Sequence, residues 1–108
     1  MTESLPATAV VRVSRGNFDP GRFAGVDAVN KKVSQYLIPA ISRLPELIHW
    51  YAGVSPDGSI VNVSVWDCDE HAAQMDQLKE MTVDARGEME AVGVTFTPIV
   101  NYPVNWTI

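Results

Sequence analysis

The stretch SIVNVSVW, Ser59 to Trp66, constrains the fold more than any other part of the chain. Successive side chains of a β-strand point to opposite faces. Val61, Val63 and Val65 therefore share one face, and Asn62, Ser64 and Trp66 share the other. Neither face suits water, since one is all valine and the other ends on an indole. Burying the three valines is worth about 1.5–3 kcal/mol each, or about 4–9 kcal/mol together. A chain left single would forfeit that and expose an apolar patch.

The flanking segments supply the rest of a sheet. Residues 7–14, ATAVVRVS, are rich in β-branched residues and read as a first strand, ended by RGNFDPG. From Phe23 to about Arg43, Val26, Val33, Leu37 and Ile41 recur at helical spacing. Pro39 predicts a kink or a restart within that helix, and Pro45 ends it. ELIHWYAGVS is a second strand and SPDGS a hairpin turn, with Gly58 free to take positive φ. Residues 60–66 form the third strand. Asp67 or Asp69 is then expected to cap a second helix from about Glu70 to Val92, with Ala72, Met75, Leu78, Ala85 and Met89 on its inner side and Gly93 at its C-terminus. VTFTPIVNY reads as a fourth strand that Pro98 and Pro103 confine to edges or bends.

The order β-α-β-β-α-β predicts an α+β, ferredoxin-like fold: a four-stranded antiparallel sheet with both helices on one face, as one domain over residues 1–108. The face without helices carries Val61, Val63 and Val65, so a homodimer packed sheet on sheet is expected.

Composition narrows the partners. The 108 residues carry a net charge of −5 and no basic run, which argues against nucleic acid and anionic membrane. MTESLPATAV lacks the basic flank and apolar core of a signal peptide, and no apolar run approaches a bilayer span. The single cysteine, Cys68, excludes an intrachain disulfide framework. A cytoplasmic protein is the expectation. No His/Cys/Asp cluster shows metal-ligand spacing along the sequence, and no Gly-rich phosphate loop follows a strand. Cys68 reads as an ordinary helix-start thiol with no arranged base.

If the valines meet a partner, Asn62, Ser64 and Trp66 line the space beneath the chain's own helices. An aromatic ring with a few directed polar groups describes a small-molecule pocket. The same residues also suit a packed core, with Asn62 bonded to nearby backbone. Met75, on the inner side of the second helix, faces the same space as a contact or as packing.

The stretch YAGVSPDGSIVNVSVWDCDE, followed by a helix and a last strand, resembles the dimeric α+β barrel proteins of the antibiotic-biosynthesis-monooxygenase type. LIPAISRLPELIHWYAG resembles the end of their first helix and their second strand, so the likeness runs over residues 8–102. The resemblance implies a cofactor-independent monooxygenase that turns a phenol, hydroquinone or anthrone into a quinone with O₂, without flavin, haem or metal. It implies that Asn62 and Trp66 are pocket donors to a developing oxyanion, joined by Arg86 and Tyr51. Two positions depart from the family's pattern: Ala72 stands where a Tyr is expected, with His71 beside it, and Glu46 stands where Gly is usual. For the proton acceptor, His71 and His49 are the candidates, because imidazole titrates near neutral pH.

Whether Tyr51 or its neighbour Trp50 shares the face of Asn62 depends on the hairpin register. A three-residue bulged turn pairs Ala52 with Asn62, whereas a two-residue turn pairs Tyr51 with it. The alternative to an enzyme is a non-catalytic dimeric module that binds a small ligand or serves only as structure. A polar, enclosed, ligand-sized space around Asn62 and Trp66 favours the enzyme; a space filled by Met and Leu favours the module.

The dimer expectation has a direct check. Light scattering at micromolar concentration should give twice the chain mass, and Val63→Asp should reduce it to one. A stable wild-type monomer would remove the reason for the outward valines.

Overall fold

The computed structural model describes residues 5–108, so the first four residues of the stretch read for a leader lie outside the described ones. The chain runs through β1 (Val10–Asn17), α1 (Phe23–Ser42), β2 (Leu47–Ser55) and β3 (Ser59–Trp66). A broken helical region follows, then β4 (Thr95–Phe96) and β5 (Val100–Pro103). The sheet order is β2-β3-β1-β4, all pairs antiparallel, with β5 also on β1. This is the ferredoxin-like arrangement. The predicted fourth strand is split in two around Pro98, whose missing N–H cannot join a ladder.

The hairpin takes the three-residue turn. Ser55 pairs with Ser59 across Pro56, Asp57 and Gly58, and Gly58 has φ +105°. Any side chain there would meet the Phe18 carbonyl, since a Cβ would lie 2.5 Å from that oxygen. The turn sets the register: Ala52 pairs with Asn62 and Trp50 with Ser64.

Four rows of side chains consequently cross the helix-covered face from β1 through β3 to β2: Val10–Trp66–Leu47, Arg12–Ser64–Trp50, Ser14–Asn62–Ala52 and Gly16–Ile60–Val54. The outer rows are apolar and the two middle rows carry the polar groups. The core divides accordingly. One buried cluster gathers Val10, Ile41, Trp66, Ala72 and Met75, and the other gathers Phe18, Val26, Ile60, Met89 and Val94.

The opposite face of the sheet carries Val61, Val63 and Val65, half-buried, with Val11 and Val13 beside them. His49 and Tyr51 also lie on it, their rings stacked at 5.9 Å. Tyr51, Val100 and Tyr102 are exposed there.

The helices depart from the sequence expectation in three ways. First, α1 runs on through Pro39 as one helix, so the restart named as one of two outcomes there does not occur. The carbonyl that loses its partner belongs to exposed Gln35, four residues earlier, where water can satisfy it. Second, neither Asp67 nor Asp69 caps the second helix. Cys68 holds the cap position without a side-chain bond, and the Asp67 carboxylate accepts from His71 instead. Third, the second helix is not continuous from Glu70 to Val92. It comprises α2 (Asp69–Ala72), a 3₁₀ segment Ala73–Gln77, a break at Leu78 with ψ 101°, a π-helical segment Glu80–Ala85 and α3 (Arg86–Ala91). Leu78 is a good helix former, so propensity does not explain the break. Leu78 and Met81 both pack on the Trp66 cluster, and that packing overrides the local preference.

The end of this region matches expectation. Gly93 has φ +101°, its N–H bonds the Glu90 carbonyl at 3.0 Å, and the Val94 N–H bonds the Met89 carbonyl at 3.1 Å. These two bonds make a Schellman cap. Across the layer, Glu88 accepts from the Tyr36 hydroxyl at 2.5 Å and pairs with Lys32 at 2.8 Å, fastening α3 to α1. No helix among the described residues is long and apolar enough to cross a membrane.

Glu46, between α1 and β2, has φ +67°, a left-handed conformation that favours glycine. Its side chain is exposed, so replacing it removes no packing. Glu46→Gly should therefore raise unfolding free energy by about 0.5–1 kcal/mol in urea denaturation. An unchanged or lowered value would mean that the left-handed turn is not held in solution.

Candidate functional site

The two polar rows lie where the broken helix arches away from the sheet, and a space opens between the two apolar clusters. The π-helical segment contributes Met81, Thr82 and Ala85 to its roof. π-Helical turns often occur at functional sites because they displace one side chain out of the regular pattern. The cavity above Arg12, Ser64 and Asn62 is small, about 80 Å³. A second space of about 360 Å³ opens beside it under α1, walled by Val33, Ile41 and Ala52. Asn30, Leu37, Trp50 and Asn62 border both, so the two spaces adjoin along these four residues.

Asn62 thus holds the place that strand alternation assigned to it. No group among the described residues hydrogen-bonds its amide, which leaves two donors and an acceptor for an occupant. Ser64 and Met75, both buried, also line the small cavity. Arg86 stands at its rim, half-exposed, with its guanidinium 5.2 Å from the centre of the Phe96 ring and its Nε 3.6 Å from Glu90.

Trp66 does not join them. It is 0% exposed, sits in the cluster with Val10, Ile41 and Ala72, and donates its indole N–H to Ser64 Oγ at 2.8 Å. The expected pairing of Asn62 and Trp66 as twin donors is therefore corrected. Both share a face, but the indole lies beneath the apolar end of the roof and its one donor is already used.

Four further expectations are corrected by geometry. The hairpin register turns His49 and Tyr51 to the outer face and brings Trp50 to the cavity instead. His71 lies at the start of α2, away from both spaces, with Nδ1 2.6 Å from Asp67 Oδ1 and 3.4 Å from Cys68 Sγ. Cys68 therefore does have a nitrogen base beside it. The three side chains also bring one donor atom each within 4.8 Å of one another, so among the described residues Asp67, Cys68 and His71 form a group that could hold a metal ion. The spacing D-C-x-x-H conceals this, because a strand end followed by a helical turn brings together groups that do not look adjacent in sequence. Burial raises the Asp67 carboxyl's pKa, but bonds from His71 and Cys68 outweigh that and leave it below its ordinary value.

The residue that sequence reading missed is Arg12. It is buried in the middle of β1, lines the small cavity and donates to Asp76 Oδ1 at 2.7 Å. The signal was present: Val11 and Val13 have the parity of the helix-free face, so Arg12 between them must point inward.

No family model and no curated protein matches the sequence. Solved structures do match the fold. SnoaB, a cofactor-independent oxygenase from Streptomyces nogalater, superposes with a TM-score of 0.64 at 17% identity, over 94% of this chain and 98% of its own. A monooxygenase from the gene ActVA-Orf6 of Streptomyces coelicolor, in complex with nanaomycin D, gives 0.69 at 15% identity, over 94% and 92%. A dimeric ferredoxin-like protein from an uncultured marine organism gives 0.64 at 18% identity, again over 94% and 92%. The chain shares the ferredoxin-like fold of these structures.

The placement of Trp66 is testable without any substrate. Trp66→Phe removes the indole N–H from Ser64 together with part of the buried ring volume, and should cost at least about 1–3 kcal/mol of stability. Trp66→Ala should cost about 3–5 kcal/mol through cavity formation. Urea titration reads both, and a fully stable Trp66→Phe protein would contradict a structural role for the indole bond.

Proposed function

We propose that this protein is a cofactor-independent monooxygenase of small aromatic substrates, working as a homodimer joined through the face of Val61, Val63 and Val65. The observation that carries this reading is the unengaged amide of Asn62, which borders two adjoining spaces. The larger space, about 360 Å³, falls in the size range of small-molecule pockets, and the smaller does not. An aromatic ring system would lie in the larger space, against Trp50 and Leu37, with an oxygen substituent at Asn62. The fold shared with a cofactor-independent oxygenase and a monooxygenase adds support.

The chemistry is that of an electron-rich carbon acid. An anthrone loses a proton from its ring CH₂ and becomes an anion with charge on the carbonyl oxygen. The Asn62 N–H₂ donates to that oxygen, and the Arg86 guanidinium at the rim favours the anion electrostatically. The anion gives its electrons to O₂, and a peroxide forms at the carbon. Loss of water leaves the second quinone carbonyl, so one oxygen atom enters the product and the other leaves as water. The substrate supplies all four electrons. No imidazole borders the cavity, so the proton passes to water at its mouth.

A second reading has its own support. The indole N–H of Trp66 is engaged by Ser64, and both histidines lie elsewhere, so few groups remain to perform catalysis. A non-catalytic dimeric module that binds a small aromatic ligand needs no more than the cavity offers.

Oxygen uptake with an anthrone separates the two. Asn62→Ala should slow uptake by about ten- to a thousandfold, with folding unchanged because no protein group loses a partner. A wild-type protein that consumes no oxygen with anthrones or hydroquinones would leave the binding module as the function.

A further inference from the structure

The charge on the cavity wall runs against the charge of the molecule. The chain carries a net charge of −5, yet the small cavity is lined by two arginines and by no Asp or Glu. The adjoining larger space has no charged residue in its wall. A carboxylate does approach Arg12, but from outside: Asp76 meets one terminal nitrogen at 2.7 Å while remaining more than half exposed. An ion pair so wet on one side neutralises little of a buried cation.

The remaining donors of Arg12 show where its unmet capacity points. A guanidinium carries five N–H groups in a fixed planar fork, and Asp76 takes one. The Arg12 side chain is only 7% exposed, yet no fully buried polar side-chain atom among the described residues lacks a partner. The other donors are therefore not sealed in the core, and Arg12 lines the small cavity, where an occupant can meet them. Ser14 and Ser64 beside them are neutral, and apolar Met75 and Trp50 lower the local dielectric. A buried cation in such surroundings is stabilised by an anion that accepts two parallel hydrogen bonds.

The size of the compartment decides what kind of anion. About 80 Å³ is too small for a ring system and large enough for a single planar substituent. The ring would remain in the larger space, with Asn62, which borders both spaces, between them.

We propose that Arg12 is the specificity residue of this site and that the ligand is an acidic aromatic, whose carboxylate docks on the inward edge of the Arg12 guanidinium. The inference rests on reading the two spaces as one ligand pocket, but not on the oxidation chemistry. Asp76 then serves to orient the guanidinium from its solvent side and competes weakly with the ligand for it.

Isothermal titration calorimetry at low ionic strength tests this with two probes of nearly the same shape, naphthalene-2-carboxylate and naphthalene-2-carboxamide. Wild-type protein should bind the carboxylate at least tenfold more tightly. Arg12→Gln should bring the ratio close to one, Arg12→Lys should retain part of it, and Arg86→Gln should retain most of it. Asp76→Asn should bind the carboxylate more tightly than wild type, a gain that a purely structural Arg12–Asp76 pair would not produce. Should Arg12→Gln fail to fold, the wild-type ratio and the Asp76→Asn gain still decide the matter. Equal affinities, no binding of either probe, or a preference abolished by Arg86→Gln and kept by Arg12→Gln would overturn the proposal. Anthrone oxidation is scored separately: charge-selective binding without oxygen uptake would end the monooxygenase reading and leave Arg12 in its role.

Discussion

A band of polar side chains crosses the middle of the helix-covered face, and the rest of the structure is arranged around it. Arg12 and Ser14 on β1 stand beside Ser64 and Asn62 on β3, with apolar rows above and below. Apolar groups cannot close over such a band without stranding its donors and acceptors. The core therefore forms as two separate clusters, one around Trp66 and one around Ile60. What lies between them is a space rather than packing. The site follows from an interruption of the hydrophobic core that four residues impose.

The covering helix responds to the same constraint. An unbroken helix from Glu70 to Val92 would have laid a straight apolar stripe across a face that is apolar only at its ends. The chain instead holds Met75, Leu78 and Met81 against the Trp66 cluster and Met89 against the other, and changes winding between them. The π-helical segment accommodates the extra arc and roofs the cavity. The bonds from Tyr36 and Lys32 to Glu88 fix the far end, so the arch is held at both sides.

The two indoles near the site show how small features assign large roles. Trp66 has the right face but the wrong end of the strand; its neighbours are Val10, Ala72 and Met75, and its N–H finds Ser64 within its own strand. Trp50 reaches the cavity because the turn at Gly58 has three residues rather than two. One residue of register exchanges Tyr51 for Trp50 and moves a phenol from the pocket to the outer sheet face. Arg12 replaces Trp66 as the second directed group beside Asn62, and it brings a positive charge where a neutral donor was expected.

The sequence by itself determined the order of elements, the antiparallel sheet, the inward face of Asn62 and Ser64, the outward valines and the glycine stops at Gly58 and Gly93. All of these depend on local periodicity or on backbone conformations that few residue types tolerate. Even Arg12 was legible, from its place between two outward valines. Only the tertiary structure decided the hairpin register, the break at Leu78, the burial of Trp66 and the removal of His49, Tyr51 and His71 from the site. Each of these depends on which distant side chains compete for the same volume, or on a turn for which two lengths were compatible with the same residues. The grouping of Asp67, Cys68 and His71 belongs with them, because only the bend from β3 into α2 brings three unremarkable neighbours to one point. Periodicity can state which way a side chain faces, but what it meets there is fixed by packing from the rest of the chain.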